Sequence, residues 1–302
     1  MLGAISKTLV WTMAAFFVAV GGLSVVLDAK QREFIFMPHK GLTRTPADHG
    51  LAYDDIWLKA GRDGSEGRVH GWWIPAADPR APAMLYLHGS RFNLGNNLFR
   101  IARLHQMGFS VLAIDYRGFG QSDGDLPSES QAYEDADLAW EELKRRMPDA
   151  ARRLVYGHSL GGAVAIELMV HKPEAAALIV ESTFTSIKDI LSASPYWFLP
   201  AGLVLTQQFD SLSKISKVKV PVLFVHGTED RWIPHSMSER LHAAATAPKR
   251  LLLVESGGHG NITWIAFDLY RRTIAEVLAG AARSINVSAA EPAAARPAVV
   301  TQ

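Results

Sequence analysis

The stretch Gly157-His158-Ser159-Leu160-Gly161 sets a hydroxyl between two glycines at the spacing G-x-S-x-G. It follows an apolar strand-like run, Leu154-Val155-Tyr156, and opens a small-residue helix beginning Leu160-Gly161-Gly162-Ala163. A serine there sits on a sharp strand-to-helix turn that only glycine-sized neighbours accommodate. Such a turn lifts the hydroxyl above the carboxyl ends of a parallel sheet and brings the next backbone N–H to the same spot. The chemistry this favours is nucleophilic attack of Ser159 on a carbonyl; the alternative is a purely structural turn.

A serine hydroxyl needs a base at neutral pH. Behind an elbow of this kind the acid and the base follow in the order Ser, Asp or Glu, His, on loops after later strands. Among 11 histidines, His259 stands in Glu255-Ser256-Gly257-Gly258-His259-Gly260-Asn261, between the last apolar β-run and the last helix, and is the expected base. His88 and His226 each precede a glycine at a strand end, and His158 adjoins the nucleophile with its side chain turned away. All three are expected to be structural or to wall the pocket. The acid is expected after Val222-Leu223-Phe224-Val225-His226, where Asp230 is preferred and Glu229 is the alternative. It would hold the tautomer of His259 and stabilise the imidazolium. Backbone donors for a developing oxyanion are expected from Leu160 and from Ser90 in His88-Gly89-Ser90-Arg91-Phe92-Asn93, with Arg91 the alternative to Ser90. The asparagines that follow read as helix caps. Asp123 precedes Ser159 in the chain and is read as structural.

Composition removes several other chemistries. The chain of 302 residues has no cysteine, which excludes thiol catalysis, zinc–thiolate sites and disulfides. Its 31 basic and 30 acidic residues are interspersed, net +1, with no basic run suited to nucleic acid. There is no G-x-x-x-x-G-K-[ST] phosphate cradle, no G-x-G-x-x-G after a strand and no H-E-x-x-H spacing, so neither a cofactor nor a metal is expected.

The elements that must position these residues are legible as alternation. Two runs, 56–60 and 69–75, read as an antiparallel hairpin around the turn 61–67. Short apolar β-runs follow at Met84–Leu87, Val111–Asp115, Leu154–Tyr156, Ala177–Glu181, Val222–His226 and Leu251–Glu255. Helices are predicted at 94–107, 129–147, 160–172, 235–246 and 262–282. Continuous apolar strands alternating with helices imply an α/β fold with a mostly parallel sheet covered on both faces. Ahead of it lies the apolar run Leu9–Leu27, LVWTMAAFFVAVGGLSVVL, which as helix would cover roughly 28 Å, one bilayer core. It is expected to be an uncleaved single-pass anchor. A secretory signal with Ala19-Val20-Gly21 as its cleavage site is the alternative, and Lys7 on one side against Lys30 and Arg32 on the other leaves the orientation open. The division expected is an anchor with its flanks at 1–33, a catalytic domain at 34–283 and a disordered Ala/Pro-rich tail at 284–302. Within the domain, 184–213 breaks the rhythm with the apolar stretch from Ser194 to Leu205, read as ordinary packing or as a lid over an acyl pocket.

Together these motifs resemble the α/β-hydrolases. His88-Gly89, the turn from Asp115 to Ser122, Gly157 to Gly162, Glu181 to Ser186, Phe209-Asp210-Ser211, His226 to Asp230 and Gly257-Gly258-His259 occur in that family's order, over about residues 35–280. More narrowly they look like single-anchor membrane hydrolases related to eukaryotic protein depalmitoylases and lysophospholipid lipases. The resemblance implies an α/β-hydrolase fold with a central sheet of about eight strands and Ser159, Asp230 and His259 as a triad. Relatives often carry His-Gly-Asn-x-x-Asn where this chain has His88-Gly89-Ser90-Arg91-Phe92-Asn93; a backbone donor survives that change. The activity expected is hydrolysis of carboxylic esters or thioesters with a lipophilic acyl group. A serine peptidase and a non-catalytic, membrane-tethered interaction protein are the alternatives.

Overall fold

Runs of apolar residues flanked by polar turns give eight strands: β1 (Asp54–Lys59), β2 (Arg68–Ile74), β3 (Ala83–Leu87), β4 (Ser110–Ile114), β5 (Arg153–His158), β6 (Ala177–Glu181), β7 (Val222–Gly227) and β8 (Lys249–Val254). In the computed structural model, which describes residues 7–61, 64–195, 197–198 and 205–290, they form one sheet in the order β1-β2-β4-β3-β5-β6-β7-β8. The expected hairpin is present, with Asp54 opposite Trp73 and Lys59 opposite Arg68. Its turn includes residues 62 and 63, which lie outside the described residues. β2 runs antiparallel to β4, and every later pairing is parallel. β3 to β7 are buried along their whole length. A strand covered by helices on both faces has no solvent side, hence the unbroken apolar runs.

The covering helices are α2 (Leu94–Gln106), α3 (Glu129–Arg146), α4 (Leu160–His171), α5 (Ile187–Ser192), α6 (Ser211–Ile215), α7 (Ser236–Ala244), α8 (Ile262–Ile265) and α9 (Phe267–Ala290). Asn93 caps α2 by accepting from the Asn96 N–H, and Ser128 caps α3 by accepting from Gln131. Ala132, Ala136, Ala139, Trp140 and Leu143 form the buried stripe of α3, the spacing of a helix with one apolar face. Two apolar clusters result, one on each face of the sheet. One holds Leu85, Val155, Trp140 and Phe224; the other holds Tyr86, Tyr156, Trp72 and Tyr270.

Two helices differ in extent from expectation. The last helix breaks at Ala266 into α8 and α9, and α9 runs to Ala290, past the expected start of the tail at 284; 291–302 lie outside the described residues. The lid-like segment expected at 184–213 contains α5 and α6, while Tyr196 and residues 199–204, within its apolar stretch from Ser194 to Leu205, lie outside the described residues. The N-terminal helix α1 spans Lys7–Phe36 rather than stopping at Leu27. Its apolar side chains, among them Trp11, Phe16, Phe17, Val25 and Val26, are exposed, whereas Phe36 at its end is fully buried in the core beside the sheet.

The sheet brings the carboxyl ends of β3, β5, β7 and β8 to one edge, so the loops carrying residues 88–90, 159, 228–230 and 259 meet there. Close approach at the start of α4 makes this possible. A side chain on Gly161 would strike the backbone carbonyls of Leu87 and His88, and one on Gly157 would strike the backbone of Gly161. Gly161→Ala is therefore expected to lower stability by more than about 2 kcal/mol through forced separation of α4 from β3, read as a drop in the urea midpoint at unchanged slope.

Candidate active site

Ser159 follows β5 at φ 55° and ψ −119°, a conformation that costs a non-glycine residue about 1–3 kcal/mol. Three hydrogen bonds hold it there. The Ser159 N–H donates to the Glu181 carbonyl at 2.8 Å, and its own carbonyl accepts from the Gly162 N–H at 2.9 Å and from the Thr183 hydroxyl at 2.9 Å. The strained turn points the side chain out of the sheet edge, where Ser159 Oγ lies 3.1 Å from His259 Nε2.

His259 Nδ1 is 2.7 Å from Asp230 Oδ2. The carboxylate only accepts, so Nδ1 carries the proton and Nε2 presents its lone pair to the Ser159 hydroxyl. Asp230 is itself saturated: Oδ1 accepts the backbone N–H groups of Trp232 at 2.9 Å and Ile233 at 3.0 Å. Burial of its side chain opposes ionisation, but the donors from His226, His259 and Ile233 outweigh it and hold the carboxyl well below the usual range. Glu229, the alternative acid, is exposed, and its backbone N–H is spent on the Gly257 carbonyl.

The loop after β3 lies against the serine, since a Cβ on Gly89 would come within 3.0 Å of Ser159 Cβ. Its two candidate donors differ. The Arg91 N–H, on a residue at φ 76°, donates to the Phe36 carbonyl at 2.7 Å. The Ser90 N–H has no such partner among the described residues. Leu160 opens α4, so its N–H lacks an acceptor one turn back.

The other histidines sort by their contacts. His88 donates from Nδ1 to the Gly89 carbonyl at 2.6 Å and packs on Tyr116 and Phe119. His158 turns away from Ser159 and donates from Nε2 to the His259 carbonyl at 2.9 Å, tying the elbow to the histidine loop. Burial, with Arg100 and His259 nearby, holds His158 neutral. His226, expected to be structural, does more: Nε2 faces the Ile233 carbonyl at 3.0 Å and Asp230 Oδ2 at 3.1 Å. A carbonyl only accepts, so Nε2–H is shared between them, and Nδ1 pairs with the Ser238 hydroxyl at 2.7 Å. Asp123 pairs with Arg68 at the sheet's edge, a structural role as expected.

Sequence reasoning missed a buried pair beneath the site. Arg100 on α2 reaches Glu181 Oε1 from Nε at 3.3 Å and the Gly260 carbonyl from Nη2 at 3.1 Å. Glu181 Oε2 accepts from the Tyr156 hydroxyl at 2.7 Å. The pair thus links β5, β6, α2 and the loop next to His259. A signal existed: Asn97, Arg100, Ile101 and Leu104 fall on one helical face, and Glu181 ends an otherwise apolar strand.

Removing one partner of a buried ion pair leaves an uncompensated charge. Arg100→Met is expected to cost about 3–5 kcal/mol, and adding Glu181→Gln to recover at least half of that; urea denaturation of the two single variants and the double variant measures both.

Comparison with known proteins gives the family of the chain. The family model for serine aminopeptidase, S33, matches residues 78–211. An uncharacterized Mycobacterium tuberculosis protein, Rv2307c, is 35% identical over 242 residues, 80% of this chain and 84% of its own length. The Arabidopsis thaliana α/β-hydrolase domain-containing protein WAV2 is 31% identical over 282 residues, 84% of this chain and 90% of its own. In fold, the chain is similar to the Pyrococcus furiosus esterase Pf2001, with a TM-score of 0.64 at 21% identity over 80% of this chain and 97% of that one. Strand order and relatives coincide, and the chain belongs to the α/β-hydrolase family.

Proposed function

We propose that this protein is a membrane-anchored serine hydrolase that cleaves carboxylic esters or thioesters of lipophilic acyl groups. The observation that carries the reading is the unbroken hydrogen-bond chain from Ser159 Oγ through His259 to Asp230, at 3.1 and 2.7 Å. Ser159 Oγ attacks the acyl carbonyl while His259 Nε2 takes its proton, and buried Asp230 stabilises the imidazolium without itself being protonated. The Ser90 and Leu160 N–H groups receive the oxyanion, a backbone donor of this kind being worth about 3 kcal/mol. His259 then protonates the leaving alcohol or thiol, and water, activated by the same histidine, releases the acid from the acyl-enzyme. No step requires a cofactor. The exposed apolar length of α1 supports a single-pass anchor and a substrate that partitions into lipid.

A peptidase reading draws on the family model's description. An aminopeptidase needs an acidic group for the substrate's amino terminus. Between 184 and 213 the acids are Asp189 and Asp210, and both are engaged: Asp189 with Arg240 and the Thr185 hydroxyl, Asp210 in capping α6. The ester reading is preferred for that reason.

A fluorophosphonate probe is expected to label Ser159, with labelling abolished in Ser159→Ala and strongly slowed in His259→Ala; a well-folded wild type that takes no label would overturn the reading. Asp230→Asn should lower kcat on a short acyl ester by about four orders of magnitude through the wrong His259 tautomer. The Asp230 carboxyl titrates lower in the folded than in the unfolded chain, so it stabilises above the unfolded value of about 3.9 and that stability is lost as pH falls. The variant's urea stability should accordingly fall less steeply than wild type on acidification below about pH 4.

A further inference from the structure

The anchor helix enters the catalytic domain without a linker. Between Asp28 and Phe36 it holds neither glycine nor proline, and the helix is continuous from the apolar run into the core. One side of this stretch is bonded to the domain throughout. Asp28 accepts from the Thr206 hydroxyl at 2.6 Å and from Gln207 Nε2 at 3.0 Å, and Gln31 accepts from the Thr206 N–H at 2.9 Å. Arg32 donates to the carbonyls of Pro127 and Leu126. Phe36 is fully buried, edge-on to Phe209 with centroids 5.7 Å apart. Positions 28, 31, 32 and 36 are one helical face, while Lys30 and Phe34 on the other remain exposed.

Two ends of this stretch matter. At the far end, the Phe36 carbonyl accepts from Arg91 in the loop beside Ser159. The Arg91 guanidinium lies 4.9 Å over the Trp232 ring, and that ring stacks on His259 at 6.4 Å. At the near end, Asp28 is the first charged residue after the apolar run, and so marks the level where a bilayer's hydrocarbon ends. It is bonded to Thr206, which follows Trp197 and Phe198 by nine and eight positions in the chain. Those two side chains are 71% and 65% exposed, and Phe92 and Trp232 at the mouth are 51% and 64% exposed. Tryptophan favours a membrane–water interface, and phenylalanine beside it buries at the headgroup–acyl boundary. From Asp28 to Phe36 the helix covers about 13 Å at 1.5 Å per residue, so the mouth cannot swing far from the lipid surface.

We infer that Asp28–Phe36 is a rigid strut rather than a tether: it holds the mouth of the site against the bilayer from which α1 emerges, with Trp197 and Phe198 seated in the lipid interface, so that acyl substrates enter from the membrane. The inference deepens the hydrolase reading and rests on it for the word substrate, while the seating of the aromatic residues on lipid does not.

The full chain is reconstituted in phosphatidylcholine vesicles and compared with a variant carrying a flexible Gly/Ser insertion after Leu27, which leaves residues 28–36 docked, and with Trp197→Ser/Phe198→Ser. Turnover of vesicle-borne 4-methylumbelliferyl palmitate is expected to fall severalfold in both, with turnover of soluble 4-methylumbelliferyl acetate unchanged. Unchanged palmitate turnover, or equal loss on both esters, overturns the strut. The chain lacks native cysteine, so a bimane probe on Trp197→Cys reports depth independently of activity. Strong quenching by doxyl-labelled lipid is expected at 197, with none on Asp78→Cys in the turn before β3; equal quenching at the two positions overturns the seating. Wild type that hydrolyses neither ester yet shows quenching at 197 would sink the hydrolase reading alone.

Discussion

The strained backbone of Ser159 is the constraint on which the site depends. A residue at φ 55° persists only where its surroundings over-determine it. Here Glu181 holds it from β6 and Thr183 from the turn that follows, Gly162 holds it from within α4, and Gly157 and Gly161 permit helix and strands to approach until any side chain would collide. Both the projection of the hydroxyl and the position of the Leu160 N–H follow from that one turn. Chemistry at the edge of the sheet is set by backbone sterics within it.

Around the elbow, buried polar groups do the aligning. Arg100 and Glu181 join the floor of the site to the carbonyl beside His259, and Asp230 gathers two imidazole donors and two backbone donors on one carboxylate. A low-dielectric interior strengthens such bonds and makes each unpaired member costly, so the network has few alternative arrangements. His158 belongs to the same scheme, since it bonds the backbone of the loop whose side chain faces the serine. The result is an imidazole whose tautomer is set by the carboxylate it faces.

The amino-terminal helix extends this rigidity outward. A flexible linker would leave the domain free to rotate over a membrane surface. A helix continued into the core, ending on a buried Phe36 and a carbonyl bonded to Arg91, couples the direction of that helix to the loop beside Ser159. Burial of one phenylalanine is worth about 2–3 kcal/mol, and with the bonds of Asp28 and Arg32 it is enough to keep the last turns of the helix docked.

The order of strands and helices, the elbow at Ser159, and the loops bearing Asp230 and His259 were legible from the chain alone. Each is encoded locally: an unbroken apolar run, a glycine pair at fixed spacing, a polar turn after a strand. The end of α1 at Phe36, the service of Arg91's N–H to that helix, the second imidazole on Asp230 and the Arg100–Glu181 pair were not legible. The last three join residues 55, 4 and 81 positions apart, and in every case local spacing permits several partners. Only packing of the sheet decides which polar groups are buried together, and the cost of leaving a buried donor or charge unpaired then selects the partner.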